Sequence, residues 1–168
     1  MSSPERFYLL VREVAESEAF RRLRYVRHHI NSTTYEHSLK VAFFCYRHYR
    51  HRRQGAALGR LVRAALLHDF YLYDHNGLGI KGGFLHTVTH PKRALRNAER
   101  LFSALAAGER DAIGRHMYPL TPLPPGTRCG WLVCFYDKLA AWGDLCNRRG
   151  WQRDAEWQYA VRRLSARP

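Results

Sequence analysis

His68 and Asp69 close the most apolar stretch of the chain, RAALLHDF, which runs from Arg63 to Phe70. A helix that is apolar on nearly every side has to be central and buried. An imidazole and a carboxylate at the end of such a helix are costly unless something satisfies them. A metal ion would satisfy both at once. His37, one turn into a helix in TTYEHSLKVA, and Asp137, inside the apolar run WLVCFYDKLAAW, are ionisable residues in similar settings. Histidine nitrogen and carboxylate oxygen together suit divalent zinc, manganese or iron, and helical bundles build such sites from the interior sides of different helices. Taken singly, each residue also has a structural use, as a hydrogen-bonded core histidine or, for Asp137, as a surface partner of Lys138.

The remaining chain reads as helix almost throughout, without internal repeats or low-complexity tracts. A first helix starts at Ser3-Pro4 and carries Phe7, Leu10, Val11 and Val14 at helical spacing. The segment FRRLRYVRHHI predicts a second short helix or a continuation of the first. Thr33 and Glu36 form a capping box, opening a helix that runs to about His51 and is broken at Gln54-Gly55. A third helix covers about Ala56 to Phe70. Residues 73–89, with Gly77, Gly79, Gly82 and Gly83, predict a loop long enough to suggest function. Thr89-His90-Pro91 then opens a helix to about Ala107, and a short helix from Glu109 ends at Tyr118. Pro119, Pro122, Pro124 and Pro125 stiffen the next segment. Gly130 to Asn147 and Trp151 to Leu164 complete the set. No alternating strand pattern appears. The expectation is an all-α fold, one domain over residues 1–168, with a motif-bearing core at about 33–147 and flanking helices at 4–29 and 151–165.

Composition narrows the class. A chain of 168 residues, 46% hydrophobic and 25% charged, is that of one globular domain and excludes a disordered or fibrous chain. No run approaches the ~20 apolar residues of a membrane span, and MSSPERFYLLVREVAE lacks the hydrophobic segment of a secretory signal. Cys45, Cys129, Cys134 and Cys146 form no CxxC pair and read as reduced thiols of a cytoplasmic protein. The 28 Lys and Arg against 14 Asp and Glu give a formal charge of +14. Such a balance favours anionic partners. The basic residues are spread along the chain, so a phosphorylated small molecule is favoured over nucleic acid, and no membrane partner is expected.

The order His37, His68-Asp69, Asp137 resembles the H…HD…D pattern of the HD-domain metal-dependent phosphohydrolases. EHSLKVA resembles the first-histidine helix of that family, RAALLHDF its HD helix, and FYDKLAA its last aspartate helix, so the resemblance covers about residues 33–147. His90 in THPKRALRNAE and His116 in IGRHMYPL extend the order to H…HD…H…H…D, as in the two-metal branch. That branch includes cyclic-dinucleotide phosphodiesterases and small hydrolases of diadenosine tetraphosphate. Met117-Tyr118-Pro119 stands where the cyclic-dinucleotide enzymes carry Gly-Tyr-Pro.

The resemblance implies a helical bundle of the HD type with two divalent ions (Mn, Fe, Zn or Co). His37, His68, Asp69 and Asp137 would hold the first; Asp69, as a bridge, with His90 and His116 would hold the second. It places Asp69 and His68 at the catalytic centre of a hydrolase acting on a nucleotide or related phosphoester, through a metal-bound hydroxide attacking phosphorus in line. His86 is a rival for His90, four residues away on the same helical face. Lys81, Lys92, Arg93 and Arg115 are candidates for phosphate contacts or are solvated helix charges. Phe70, Tyr71, Tyr73 and Tyr118 pack in the core or stack on a base. His28, His29, His48, His51 and His75 are assigned to the surface or to loops. Two other functions fit: a di-iron oxygenase with the same ligand order, and a non-catalytic basic module that binds nucleic acid.

Overall fold

A computed structural model describes residues 4–29, 32–51, 55–72, 79–102, 104–145 and 150–166. Its helices are α1 (Glu5–Ala15), α2 (Glu18–Arg21), α3 (Thr34–Tyr49), α4 (Ala56–Leu67), α5 (Gly79–Leu101), α6 (Ala107–Arg115), α7 (Arg128–Leu145) and α8 (Ala155–Ser165). The fold is all-α, and the one sheet among the described residues is a short antiparallel pair, β1 (Arg27–His29) with β2 (Ser32–Thr33). No helix among the described residues is long and apolar enough to cross a membrane.

α3 and α4 form the centre. α3 is buried along most of its length, from Thr34 to Tyr49, and α4 buries Leu58, Leu61, Val62 and the run Ala64 to Leu67. α1, α6 and α7 pack around this pair, and α8 packs on α1. An aromatic core fills the space behind: Phe7 meets Phe43 edge-on at 5.0 Å, and Phe20 stacks on Phe70 at 6.1 Å. α8 is tied down by its buried Glu156, which accepts a hydrogen bond from the Tyr46 hydroxyl at 2.5 Å and pairs with Arg50. Glu109, also buried, takes both nitrogens of Arg63 at 2.7 and 2.9 Å, fastening α6 to α4. A bidentate guanidinium–carboxylate pair is the geometry that repays burial best.

The capping box is formed as the sequence predicts: the Glu36 N–H donates to Thr33 Oγ1 at 3.2 Å, and the Thr33 N–H donates to Glu36 Oε2 at 3.0 Å. Three expectations need correction. The segment from Phe20 to His29 is not one helix: α2 ends at Arg21, a 3₁₀ turn covers Arg22–Tyr25, and β1 follows. An N-cap residue must be extended, and Thr33 is, with φ −90° and ψ 158°. An extended Ser32-Thr33 offers an edge on which Arg27 and His29 pair. Residues 79–89 of the predicted loop are helical instead, because α5 already begins at Gly79 and Pro91 lies inside it rather than at its start; residues 73–78 lie outside the described residues. The hydroxyls of Thr87 and Thr89 donate back to the Gly83 and Leu85 carbonyls at 3.0 and 2.6 Å, binding together the turns that precede the proline. α4 stops at Leu67 and α6 at Arg115, each a few residues short of the expected end. His68 and His116 therefore stand just past a helix terminus.

α7 approaches the loop before it closely at Gly130. A Cβ there would collide with Asp111 Oδ2 and lie 2.8 Å from Pro125 Cβ. The Asp111 carboxylate cannot swing away cheaply, because it accepts from the Gly126 and Thr127 amides and the Thr127 hydroxyl at 2.7–3.0 Å. Alanine is ordinarily the better helix former by about 1 kcal/mol. Gly130→Ala is nevertheless expected to destabilise the fold by roughly 1–3 kcal/mol through overpacking; a denaturant midpoint equal to or above that of the unsubstituted protein would contradict this contact.

Candidate metal centre

Five helical elements and the hairpin meet at one buried cluster. His37 comes from the first turn of α3, His68 and Asp69 from the end of α4, His90 from α5, His116 from the end of α6 and Asp137 from α7. All six are buried. His37 Nε2 lies 2.9 Å from Asp137 Oδ1, and His68 Nε2 lies 3.5 Å from both Asp137 Oδ1 and Asp69 Oδ2. On the other oxygen of Asp69, Oδ1, the Nε2 atoms of His90 and His116 close in at 3.2 and 3.4 Å and lie 2.9 Å from each other.

The imidazoles are oriented from behind. His68, His90 and His116 each donate Nδ1–H to a backbone carbonyl one turn earlier: Ala65 at 2.8 Å, His86 at 3.0 Å and Ile113 at 2.9 Å. A carbonyl only accepts, so in each neutral ring the proton is on Nδ1 and the Nε2 lone pair points into the cluster. This is how metal-ligating histidines are commonly held. Lys138 adds a second support, donating to the His116 carbonyl at 2.8 Å. Lys40, buried on α3, donates to the Ala140 carbonyl at 2.8 Å and so fixes α3 against α7 near Asp137.

The arrangement is suited to a cation. Two neutral imidazole lone pairs at 2.9 Å repel each other, as do lone pairs aimed at an ionised carboxylate. His68 Nε2 and Asp69 Oδ1 are buried without a hydrogen-bond partner among the described residues. The spacings match those of ligands around one ion. With bonds of about 2.1 Å, neighbouring donors stand about 3.0 Å apart at a right angle and about 3.4 Å apart at the tetrahedral angle. The groups His37, His68, Asp137 and His68, Asp69, His116 each bring their donor atoms close enough for a shared ion. The cluster can hold a divalent metal ion, and its mixed nitrogen and oxygen donors suit zinc, manganese, iron or cobalt.

The ionisation states agree. Burial pushes Asp69 and Asp137 upward, but the imidazoles around them outweigh it and hold both carboxyls well below the usual range. Burial likewise pushes His68 downward and is overcome by Asp69 and Asp137, so its pKa is raised. His116 is lowered, chiefly by burial, and stands ready as a neutral ligand. Among the groups that lower Asp69, the charge of His68 acts most strongly.

Other residues fall elsewhere. His90, not His86, reaches Asp69; the His86 ring stacks on His90 at 4.6 Å, and its carbonyl holds the His90 Nδ1. Arg115 is exposed and turned toward Pro124 and Asp111, at 3.4 Å from each. Lys92 and Arg115 line a groove of about 590 Å³ between α5, α6 and residues 121–123, on the outward side of the helices that carry His90 and His116. Arg93 is exposed. Lys81 lies in the first turns of α5, with its side chain outside the described residues, as are Tyr73, His75, Cys146 and the His29 side chain. Phe70 and Tyr71 are core residues, and Tyr118 packs edge-on against Trp131. His48 bonds Tyr136 at 2.8 Å, and His51 is exposed.

One assignment is overturned. His28 is not a surface residue: from β1 its Nε2 reaches to 3.0 Å from Asp69 Oδ2, and its ring stacks on His37 at 3.8 Å. Only the strand pairing brings it there, and no spacing within the sequence announces that pairing. Comparison with protein-family models, with curated proteins and with solved structures yields no match.

Metal and proton compete for the same nitrogens. Because His68 is raised, the competition favours the proton below its folded pKa and the metal above it. Adding Mn²⁺ to about one hundred times its Kd is expected to stabilise chelator-treated protein by about 2.7 kcal/mol at pH ~8, or roughly 5–10 °C in Tm. The shift should shrink as the pH falls through the folded pKa of His68, which lies above the ordinary histidine value. A scanning fluorimetry series with equal shifts at both ends, or with none, would place the ion elsewhere.

Proposed function

We propose that the chain is a metal-dependent phosphohydrolase of the HD-domain type, acting on a nucleotide or related phosphoester with two divalent ions. The observation that carries this reading is the division of Asp69. Its Oδ1 faces His90 and His116, while its Oδ2 faces His68 at 3.5 Å. His68 also approaches Asp137, which pairs with His37. A carboxylate with separate donor sets on its two oxygens is suited to bridge two ions. His37, His68, Asp69 and Asp137 would hold one, and Asp69, His90 and His116 the other.

Bound ions of this kind polarise a phosphoryl group and lower the pKa of a water. The residues supply the rest. Asp69 and Asp137 contribute two negative charges against two dications, so the loaded site stays cationic and favours an anionic phosphoester. The backbone carbonyls behind His68, His90 and His116 keep the rings from rotating, so no reorganisation is needed as charge develops on the substrate. The formal charge of +14 raises the local concentration of anions around the whole protein. Absence of a long apolar helix among the described residues fits a cytoplasmic enzyme, which we include in the proposal.

The same histidine-rich donors would also suit a di-iron oxygenase, and one experiment separates the two. Purified protein loaded with Mn, Fe, Co or Zn is offered a panel of nucleotide phosphoesters, and phosphate release and oxygen uptake are followed together. Phosphate or nucleotide release without oxygen uptake is expected. Iron-dependent oxygen uptake with no hydrolysis would overturn the assignment in favour of the oxygenase. Salt-sensitive DNA binding without metal or turnover would favour a binding module.

Substitutions should be graded. Asp69→Ala removes the bridge and should abolish turnover and most metal binding. His90→Ala should leave a folded protein with about one ion lost and activity reduced by more than ~100-fold, beyond what loss of an outer supporting group costs. Unchanged metal content and kinetics in His90→Ala would exclude His90 as a ligand.

A further inference from the structure

We propose that His28 is a further protein ligand of the metal centre, closing it on the side of the β1–β2 hairpin. This rests on the metal reading above and adds a donor outside the H…HD…H…H…D order. Three observations converge on it. His28 Nε2 stands 3.0 Å from Asp69 Oδ2, the separation of two donors at right angles on one ion. The His28 ring lies nearly parallel to that of His37, at 18° and 3.8 Å, so two imidazoles are presented side by side to the same carboxylates. Donor atoms of His28, His37 and Asp69 all lie within 4.8 Å of one another, near enough to be offered to a shared ion.

The hairpin makes the placement reproducible. Arg27 pairs with Thr33, the residue that caps the helix carrying His37, and the Thr34 amide donates to the Val26 carbonyl at 2.8 Å. His29 pairs with Ser32 beyond an irregularity at His28, so the backbone on both sides of His28 is registered to the start of α3. The His28 side chain is 12% exposed, against 0% for His37 and His68 and 6% for His90. It sits at the solvent-facing edge of the cluster. A ligand there would restrict loss of the ion that the deeper residues hold.

A hydrogen bond from His28 to Asp69 would also give the 3.0 Å contact, making His28 a positioning residue instead. Cobalt distinguishes the two roles, because its visible absorption strengthens as its coordination number falls. Chelator-treated full-length protein is titrated with Co²⁺, with affinity read by calorimetry and coordination by absorption. His28→Ala and His28→Gln are compared with the unsubstituted chain, and His48→Ala serves as a remote histidine control. Glutamine keeps an N–H donor for Asp69 but is a poor ligand, and it guards against a folding defect in the alanine variant. Both variants are expected to lose at least ~100-fold in Co²⁺ affinity for one ion, beyond the range for lost supporting contacts. Their absorption should intensify, and added imidazole should restore the original spectrum of His28→Ala. Wild-type affinity and spectrum in both variants would overturn the proposal and leave the metal centre standing. So would retention of both by His28→Gln alone, which would assign His28 to positioning. Failure of the unsubstituted protein to bind Co²⁺ would remove the metal reading, and this one with it.

Discussion

An ionised carboxylate that is 3% exposed dominates the interior: Asp69 sits at the end of the most apolar helix, and the cost of burying its charge must be met on every side. Its two oxygens are approached by His28, His68, His90 and His116, which come from a strand and the ends or middles of three helices. Satisfying one group therefore fixes the positions of α4, α5, α6 and the hairpin together. Asp137 extends the requirement to α7 and, through His37, to α3.

The polar contacts away from the cluster follow from the same requirement. Lys138 and Lys40, beside or near Asp137, spend their charges on backbone carbonyls of His116 and Ala140. Each is one of four lysines in a chain rich in arginine. A single ammonium on a long stem can reach a carbonyl at a helix end where a guanidinium fork would need two acceptors. Glu109 with Arg63 ties α6 to α4, and so holds His116 and Asp69 in fixed relation without touching either. The aromatic core around Phe7, Phe43 and Tyr46 lies behind α3 and α4 and supplies the burial that makes the polar cluster tolerable.

What the sequence revealed depended on whether the information was local. His68-Asp69 and Asp137 were legible because ionisable residues inside apolar runs contradict their surroundings. The capping box fixed the start of α3, and with it the face that His37 presents. His90 was legible as a candidate but its setting was not: proline commonly opens helices, yet here α5 continues through it. His28 was illegible. Its neighbourhood is arginine-rich and reads as helix, and its place follows from a strand pairing of Arg27 with Thr33. The direction of Arg115 was illegible for a related reason. Adjacency to His116 in sequence says little about direction, since neighbours on a helix point about 100° apart, and the arginine turns to Asp111 instead.

The distribution of donors has a thermodynamic consequence. The residues that converge run from His28 to Asp137 and belong to six separate segments, so no part of the unfolded chain presents more than the His68-Asp69 pair at the spacing an ion needs. An ion held by this donor set would be bound almost wholly by the folded state, and its binding free energy would add to folding free energy. The converse holds as well. Without an ion, lone pairs on His90 and His116 face each other and a buried carboxylate, and a proton is the one substitute the chain can recruit by itself. The raised pKa of His68 shows where such a proton can settle. The repulsion between the His90 and His116 lone pairs is local and is set against the attraction of the imidazoles for Asp69 and Asp137, with the packing of the aromatic core and the buried ion pairs behind both. A cation there would turn the local repulsion into attraction while the packing around it stays the same.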